Sequence, residues 1–186
     1  AWRCGDSTAR FLGRMTLNPQ SHIDPIGTVV MPLLMLVTGI PFLFGWAKPV
    51  PFNPINLNDR RLDPVKIALA GPLSNVLLAV IFAVLLKLAL TLGQFGLPEA
   101  ALTIIFQVAM SLIVINLVLF LFNLIPVPPL DGHYVLAYFL PPSGEAMLKQ
   151  IGPFGIIIAV VIGGQWVGFA MGPLIGFVRW FLLLGL

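Results

Sequence analysis

Long apolar runs separated by short polar segments set the pattern of this chain. Residues 28–45, 65–92, 102–122 and 151–171 each reach or approach the roughly 20 apolar residues that a helix needs to cross a bilayer. Residues 174–186 form a shorter run. Regular alternation of polar and apolar positions is missing, which argues against an outer-membrane β-barrel. The pattern predicts an all-α polytopic membrane protein, a bundle of about four to six transmembrane or re-entrant helices. The whole of residues 1–186 reads as a single membrane-embedded domain.

Composition agrees. Hydrophobic residues make up 59% of the 186 and charged residues only 9%, with a mean hydropathy of +1.02. A soluble domain carries about a quarter of its residues charged, so this chain has too little polar surface to be one. The net charge of +3 does not indicate a nucleic-acid partner, because the basic residues cluster beside hydrophobic runs, as the positive-inside rule requires. The single cysteine, Cys4, excludes an internal disulfide and a multi-cysteine metal site. Residues 1–18 are polar and basic with no secretory signal core. The chain opens on "AWRCGDSTARFLGR" without an initiator Met and reads as entered in mid-element.

The charges also set a topology. Arg3, Arg10 and Arg14 precede the first apolar run; Lys48, Arg60, Arg61 and Lys66 follow it. A single crossing by that run would leave one basic flank outside, and its Pro32, Gly39 and Pro41 weaken a straight helix. The run is therefore bent or re-entrant, or the charge rule does not govern it. The next two runs are joined by "TLGQFGLPEA", a turn without Lys or Arg. The rule places residues 46–64 inside, the turn near Pro98 outside, and the chain inside again by Asn123. Asp131 then lies towards the cytoplasmic side, of a bacterial inner membrane on this reading.

Asp131 is the residue that needs explaining. It follows Asn123, Pro126, Pro128 and Pro129 in "LFNLIPVPPLDGHYVL", and between Glu99 and Asp131 the chain carries no other charge. An Asp-Gly pair at a helix end is commonly a turn. Yet broken backbone at membrane depth is tolerated only when it is buried in protein or lines a wet cavity, and an acid there must be paired, protonated or metal-bound.

"NLIPVPPLDG" resembles the N-x-x-P-x-x-x-L-D-G signature of the site-2 protease family, the M50-type intramembrane zinc metalloproteases. "ALAGPLSNVLLA", residues 68–79, is similar to the family's A-G-P-x-x-N helix. "GDSTARFLGRMTLNPQSHIDPIGT" (5–28) and "FGWAKPVPFNP" (44–54) resemble the compact bacterial branch that lacks a PDZ domain. The resemblance implies one catalytic Zn2+, with Asp131 as its third ligand. It implies that Asn123 positions substrate or stabilises the transition state, that Gly71, Asn75 and Pro126 position substrate, and that the helix is broken at this motif. The other two ligands and the general base belong to an H-E-x-x-H motif. His22, His133, Glu99 and Glu145 do not form one, so the motif is expected a handful of residues upstream of Ala1. Without it this chain would be inactive.

Catalytic zinc takes three protein ligands and leaves a position for water. Two histidines one helical turn apart share a face, and the third ligand must come from another element, which a helix break can supply. His22 and His133 read either as groups that hydrogen-bond beside the metal site or, more simply, as structural or interfacial histidines. Gly71 and Asn75 read either as a small-x-x-x-polar packing contact or as a grip on substrate backbone. Trp46 and Lys48 suit a substrate-facing flap and a membrane-interface anchor equally. The implied function is an intramembrane endopeptidase acting on transmembrane protein or peptide substrates within the lipid bilayer, with the oligomeric state open. A catalytically inactive relative acting as a membrane-protein chaperone or scaffold is the main rival, and a small transporter subunit a lesser one.

Overall fold

The computed structural model describes residues 1–39, 45–93 and 96–184. Pro41 and Phe44 of the first run, Gln94 of the second turn and the last two residues of the 174–186 run lie outside them. All regular structure among the described residues is helical, as the hydropathy pattern requires, and three helices are long and apolar enough to cross a membrane. The chain is a polytopic helical membrane protein. It divides into two compact units, Ala1–Pro64 and Val65–Leu186.

The first unit is built on turns. A one-turn helix α1 (Thr8–Phe11) follows Gly5, whose φ of 97° only glycine adopts without strain. Asp6 is fully buried and holds this unit together. Its carboxylate accepts from Thr8 Oγ1 at 2.6 Å, Asn53 N–H at 2.9 Å, Asn56 Nδ2 at 3.0 Å and Thr8 N–H at 3.2 Å. The Thr8 hydroxyl foremost, with the Asn56 and backbone donors, outweighs desolvation and holds the Asp6 carboxyl well below the usual carboxylate range. Arg14 makes a second tie, donating from Nη2 to the carbonyls of Lys48 and Pro49. The segments 1–24 and 46–58 are thereby joined.

Between them lies the apolar run, of which residues 25–39 and 45 are described. A wide turn, Pro25–Val30, is capped by Asp24, whose Oδ1 accepts from the N–H groups of Ile26 and Gly27. It continues as α2 (Met31–Thr38), which ends on left-handed Gly39 (φ 70°). By Trp46 the chain is again beside residue 27: Trp46 N–H donates to the Gly27 carbonyl at 3.1 Å. Thr28 Oγ1 donates to the Trp46 carbonyl at 2.9 Å.

The second unit carries the long helices. α3 (Asp63–Gly93) starts two residues ahead of the expected run and contains Pro72. α4 is Glu99–Asn123, α5 is Gly132–Phe139 and α6 is Pro142–Leu183. Ala79 and Ala83 of α3 let Leu86 pack against Ile113 and Leu117 of α4 and Leu182 of α6, forming the buried core. Small residues one turn apart permit this close approach, which matters in lipid, where van der Waals packing rather than water exclusion drives helix association. Lys87 of α3 caps the far end of α6, donating to the Phe181 carbonyl at 2.9 Å with its Nζ 4.6 Å from the Phe181 ring centroid. Trp166 Nε1–H of α6 donates to the Leu121 carbonyl of α4 at 3.2 Å.

One sequence expectation is corrected here. Residues 151–171 and 174–186 are not separate segments, because α6 runs through Gly172 and Pro173 without a break. A spanning helix tolerates one lost hydrogen bond at a proline better than an exposed backbone break, which would orphan several polar groups at once.

Candidate functional site

The segment between α4 and α5 is a chain of tight turns imposed by its prolines. Asn123 is the last residue of α4, and its Nδ2 donates back to the Leu119 carbonyl at 2.8 Å. Ile125 N–H reaches Phe122, Val127 N–H reaches Ile125, and Leu130 N–H reaches Val127. Pro126, Pro128 and Pro129 bring no N–H of their own, so these turns need fewer acceptors than an ordinary loop. The Pro128–Pro129 peptide is cis. Gly132 is buried where a Cβ would meet the Leu124 and Ile125 carbonyls, and Gly155 of α6 is equally bare opposite the Pro128 carbonyl. Both glycines are required by backbone approach, and together they seat the turns against α6.

Asp131 emerges at the N-terminus of α5. It occupies the capping position in helical conformation (φ −59°, ψ −32°), and its side chain caps nothing. Asn18, Asp24 and Asn53 at other helix starts do accept backbone N–H groups. The half-buried Asp131 carboxylate thus accepts no hydrogen bond among the described residues. The Asp131 backbone is therefore part of the turn into α5, while its side chain is not used as a cap.

What faces Asp131 is Gly71 of α3. A Cβ built on Gly71 would lie 3.1 Å from Asp131 Oδ2. The structure therefore brings the A-G-P-x-x-N helix and the L-D-G turn together. Asn75 lies one turn along the same face of α3, half-buried and making no hydrogen bond among the described residues. His133 donates from Nδ1 to the Leu130 carbonyl at 2.6 Å. Its ring lies 3.9 Å from that of Tyr134. Pro126 is exposed at the outside of the turn.

His22 belongs to the first unit, where its Nε2–H donates to the Thr16 carbonyl at 3.0 Å. Trp46 and Lys48 are tied through their backbones to Gly27 and His22. Asn116 was not singled out by sequence reasoning. It is a buried polar residue, two turns before Asn123 on α4, donating to the Leu112 carbonyl at 2.8 Å. The seven-residue spacing of two asparagines within an apolar helix was the available signal.

The chain is 42% identical over 162 residues to "Putative zinc metalloprotease YwhC" of Bacillus subtilis, spanning 87% of this chain and 70% of that protein. The chain belongs to the site-2 protease family. It is also 28% identical over 162 residues to "Putative zinc metalloprotease Rip2" of Mycolicibacterium smegmatis, covering 58% of that protein. With "Putative zinc metalloprotease Rip3" of Mycobacterium tuberculosis it shares 35% over 126 residues, or 30% of that protein's length. No family model matches the chain, and no solved structure matches it. Membership in this family places its function in the metalloprotease class.

For a zinc ion the fit is partial. Among the described residues, no three of His, Cys, Asp and Glu come together as donors. Asp131 nevertheless suits one ligand position: its oxygens have no hydrogen-bond donor among the described residues, and the adjacent α3 surface carries no Cβ to block them. The residues of this chain fit one arm of a zinc site rather than a complete one.

Proposed function

We propose that this chain supplies the third zinc ligand and the substrate-holding surface of an intramembrane zinc endopeptidase, which cleaves peptide bonds in or near transmembrane segments of other proteins. The observation that carries this reading is the uncapped Asp131 carboxylate facing bare Gly71 at a helix break. The remaining ligands and the general base are contributed by an H-E-x-x-H helix elsewhere in the full-length protein. Zinc held there supplies Lewis-acid polarisation of the scissile carbonyl and an acidified water.

The rest is the work of this chain. A substrate helix must unwind before its carbonyls are open to attack, and the unwound strand then needs hydrogen-bonding partners in place of its own turns. Asn75 of α3, with its unused carboxamide, and Asn123 at the end of α4 offer donors and acceptors to such a strand. The proline turns keep the segment next to Asp131 from closing into helix. Lys66 at the start of α3, with Arg60 and Arg61 before it, supports a cytoplasmic-side site in a bacterial inner membrane.

The test compares full-length wild-type protein with Asp131→Asn. The expected outcome is loss of bound zinc and of cleavage of a model transmembrane substrate, with the thermal unfolding midpoint retained. Retention of both zinc and cleavage would overturn the ligand assignment. Binding of a transmembrane segment without cleavage, by full-length wild-type protein loaded with zinc, would instead favour the scaffold reading.

A further inference from the structure

Carboxylates that bind a metal are ordinarily held in aim by hydrogen bonds to their own oxygens. The Asp131 carboxylate accepts none among the described residues, because its side chain caps nothing at the start of α5. Its direction is set from behind, by the backbone that carries it. The peptides on both sides of Asp131 are pinned. Tyr134 N–H donates to the Asp131 carbonyl at 3.1 Å, and His133 N–H donates to the Leu130 carbonyl at 3.2 Å. Those two are main-chain bonds that any residue except proline could make. A third bond depends on the side chain: His133 Nδ1 donates to the same Leu130 carbonyl at 2.6 Å, the shortest of the three.

The Leu130 carbonyl and the Asp131 N–H belong to one rigid plane. The imidazole that holds the oxygen therefore also fixes the tilt of the bond leading to the Asp131 Cα. The ring is itself steadied, half-buried and 3.9 Å from the Tyr134 ring. Gly132, between Asp131 and His133, is buried with no room for a Cβ against the Leu124 and Ile125 carbonyls. That contact bars the turn from moving towards the proline segment.

We infer that His133 is a positioning residue for the zinc ligand: its Nδ1 bond to the Leu130 carbonyl locks the peptide between residues 130 and 131 and so aims the Asp131 carboxylate. The inference rests on Asp131 being a ligand, as proposed above. In this role His133 touches neither metal nor substrate. A histidine suits it because Nδ1 is close enough to Cβ to reach back to its own turn, while the flat ring packs beside Tyr134.

The experiment compares three variants of His133 with wild type and Asp131→Asn, all in the full-length protein. His133→Asn puts a carboxamide nitrogen as many bonds from Cβ as Nδ1 is. His133→Gln moves that nitrogen one bond further out, and His133→Phe keeps a ring beside Tyr134 but removes the donor. Zinc affinity is measured by competition with a chelator, kcat and KM on a model transmembrane substrate, and folding by a thermal melt of the zinc-free protein. His133→Gln and His133→Phe are expected to bind zinc about 10- to 100-fold more weakly and to lose kcat, with KM and the zinc-free melt unchanged. His133→Asn keeps the wild-type affinity. Equal loss in His133→Asn and His133→Gln, or wild-type affinity in His133→Phe while Asp131→Asn loses zinc, overturns the role of the Nδ1 bond and leaves the ligand assignment standing. A zinc-free melting midpoint that falls in step with affinity makes the bond merely structural and overturns the proposal as well. Wild-type zinc affinity in Asp131→Asn removes the ligand itself, and both readings fall together.

Discussion

Replacing Gly71 with alanine adds a single methyl group opposite the carboxylate on which the proposed zinc chemistry depends. That methyl carbon would stand 3.1 Å from Asp131 Oδ2, where ordinary contact begins at 3.4 Å. One of the two must therefore yield by about 0.3 Å, which exceeds the ~0.2 Å tolerance of metal–ligand distances. Displacing a ligand on this scale, like removing a group that orients it, lowers metal affinity or activity by about 10- to 100-fold. Backbone effects act in the opposite direction: glycine to alanine within a helix stabilises by about 1 kcal/mol. Gly71→Ala is thus expected to unfold at the same or a higher temperature, while retaining less zinc and cleaving a model transmembrane substrate at least tenfold more slowly. Gly71→Val, with two further methyls, falls below Gly71→Ala in both zinc retention and cleavage. The assay pairs zinc content of purified full-length protein with cleavage in proteoliposomes and a thermal melt. If Gly71→Ala retains wild-type zinc and wild-type cleavage, the juxtaposition of Gly71 and Asp131 has no functional meaning.

Further expectations follow from other contacts. Asp6, with its folded pKa depressed, stabilises the first unit above the unfolded carboxylate value of about 4, and that contribution is lost progressively as pH falls below it. Hydrogen exchange over residues 4–58 should show this acid loosening in wild type. In Asp6→Asn the same region should already be loose at neutral pH, and identical profiles would refute the role of the carboxylate. Trp166→Phe removes the bond to the Leu121 carbonyl and is expected to cost about 0.6 kcal/mol, the average for such bonds in membrane proteins; denaturation in mixed micelles measures it. Gly155→Ala drives a Cβ into the Pro128 carbonyl and should destabilise by about 1–3 kcal/mol, typical of overpacking. An unchanged melting temperature for that variant would mean that α6 does not press on the proline turns.

The membrane class, the apolar runs within α3, α4 and α6 and the broken helix at "NLIPVPPLDG" were legible in the sequence because each is a local property. A run of apolar residues declares a spanning helix wherever it sits, and prolines end a helix by their own covalent geometry. Asp131 could be singled out for the same reason, as an acid after a charge-free run, and the family motif gave it a role. Hydropathy misdivided α6, because Gly172 and Pro173 look like a break when backbone propensity is read without the cost of opening a helix in lipid.

What only the tertiary structure decided depends on residues far apart in the chain. Gly71 and Asp131 are separated by sixty positions, and no local pattern could show that the bare face of one meets the carboxylate of the other. The meeting of residue 46 with residue 27 could not be read from hydropathy either, since the composition of an apolar run does not say which backbones approach one another. A backbone hydrogen bond joins the two, and bare Gly27 leaves room for the Trp46 indole. The sequence by itself determined which solvent each segment prefers and where the helices must stop. Packing determined which segments meet, because contacts between distant elements depend on shapes that neither element specifies alone.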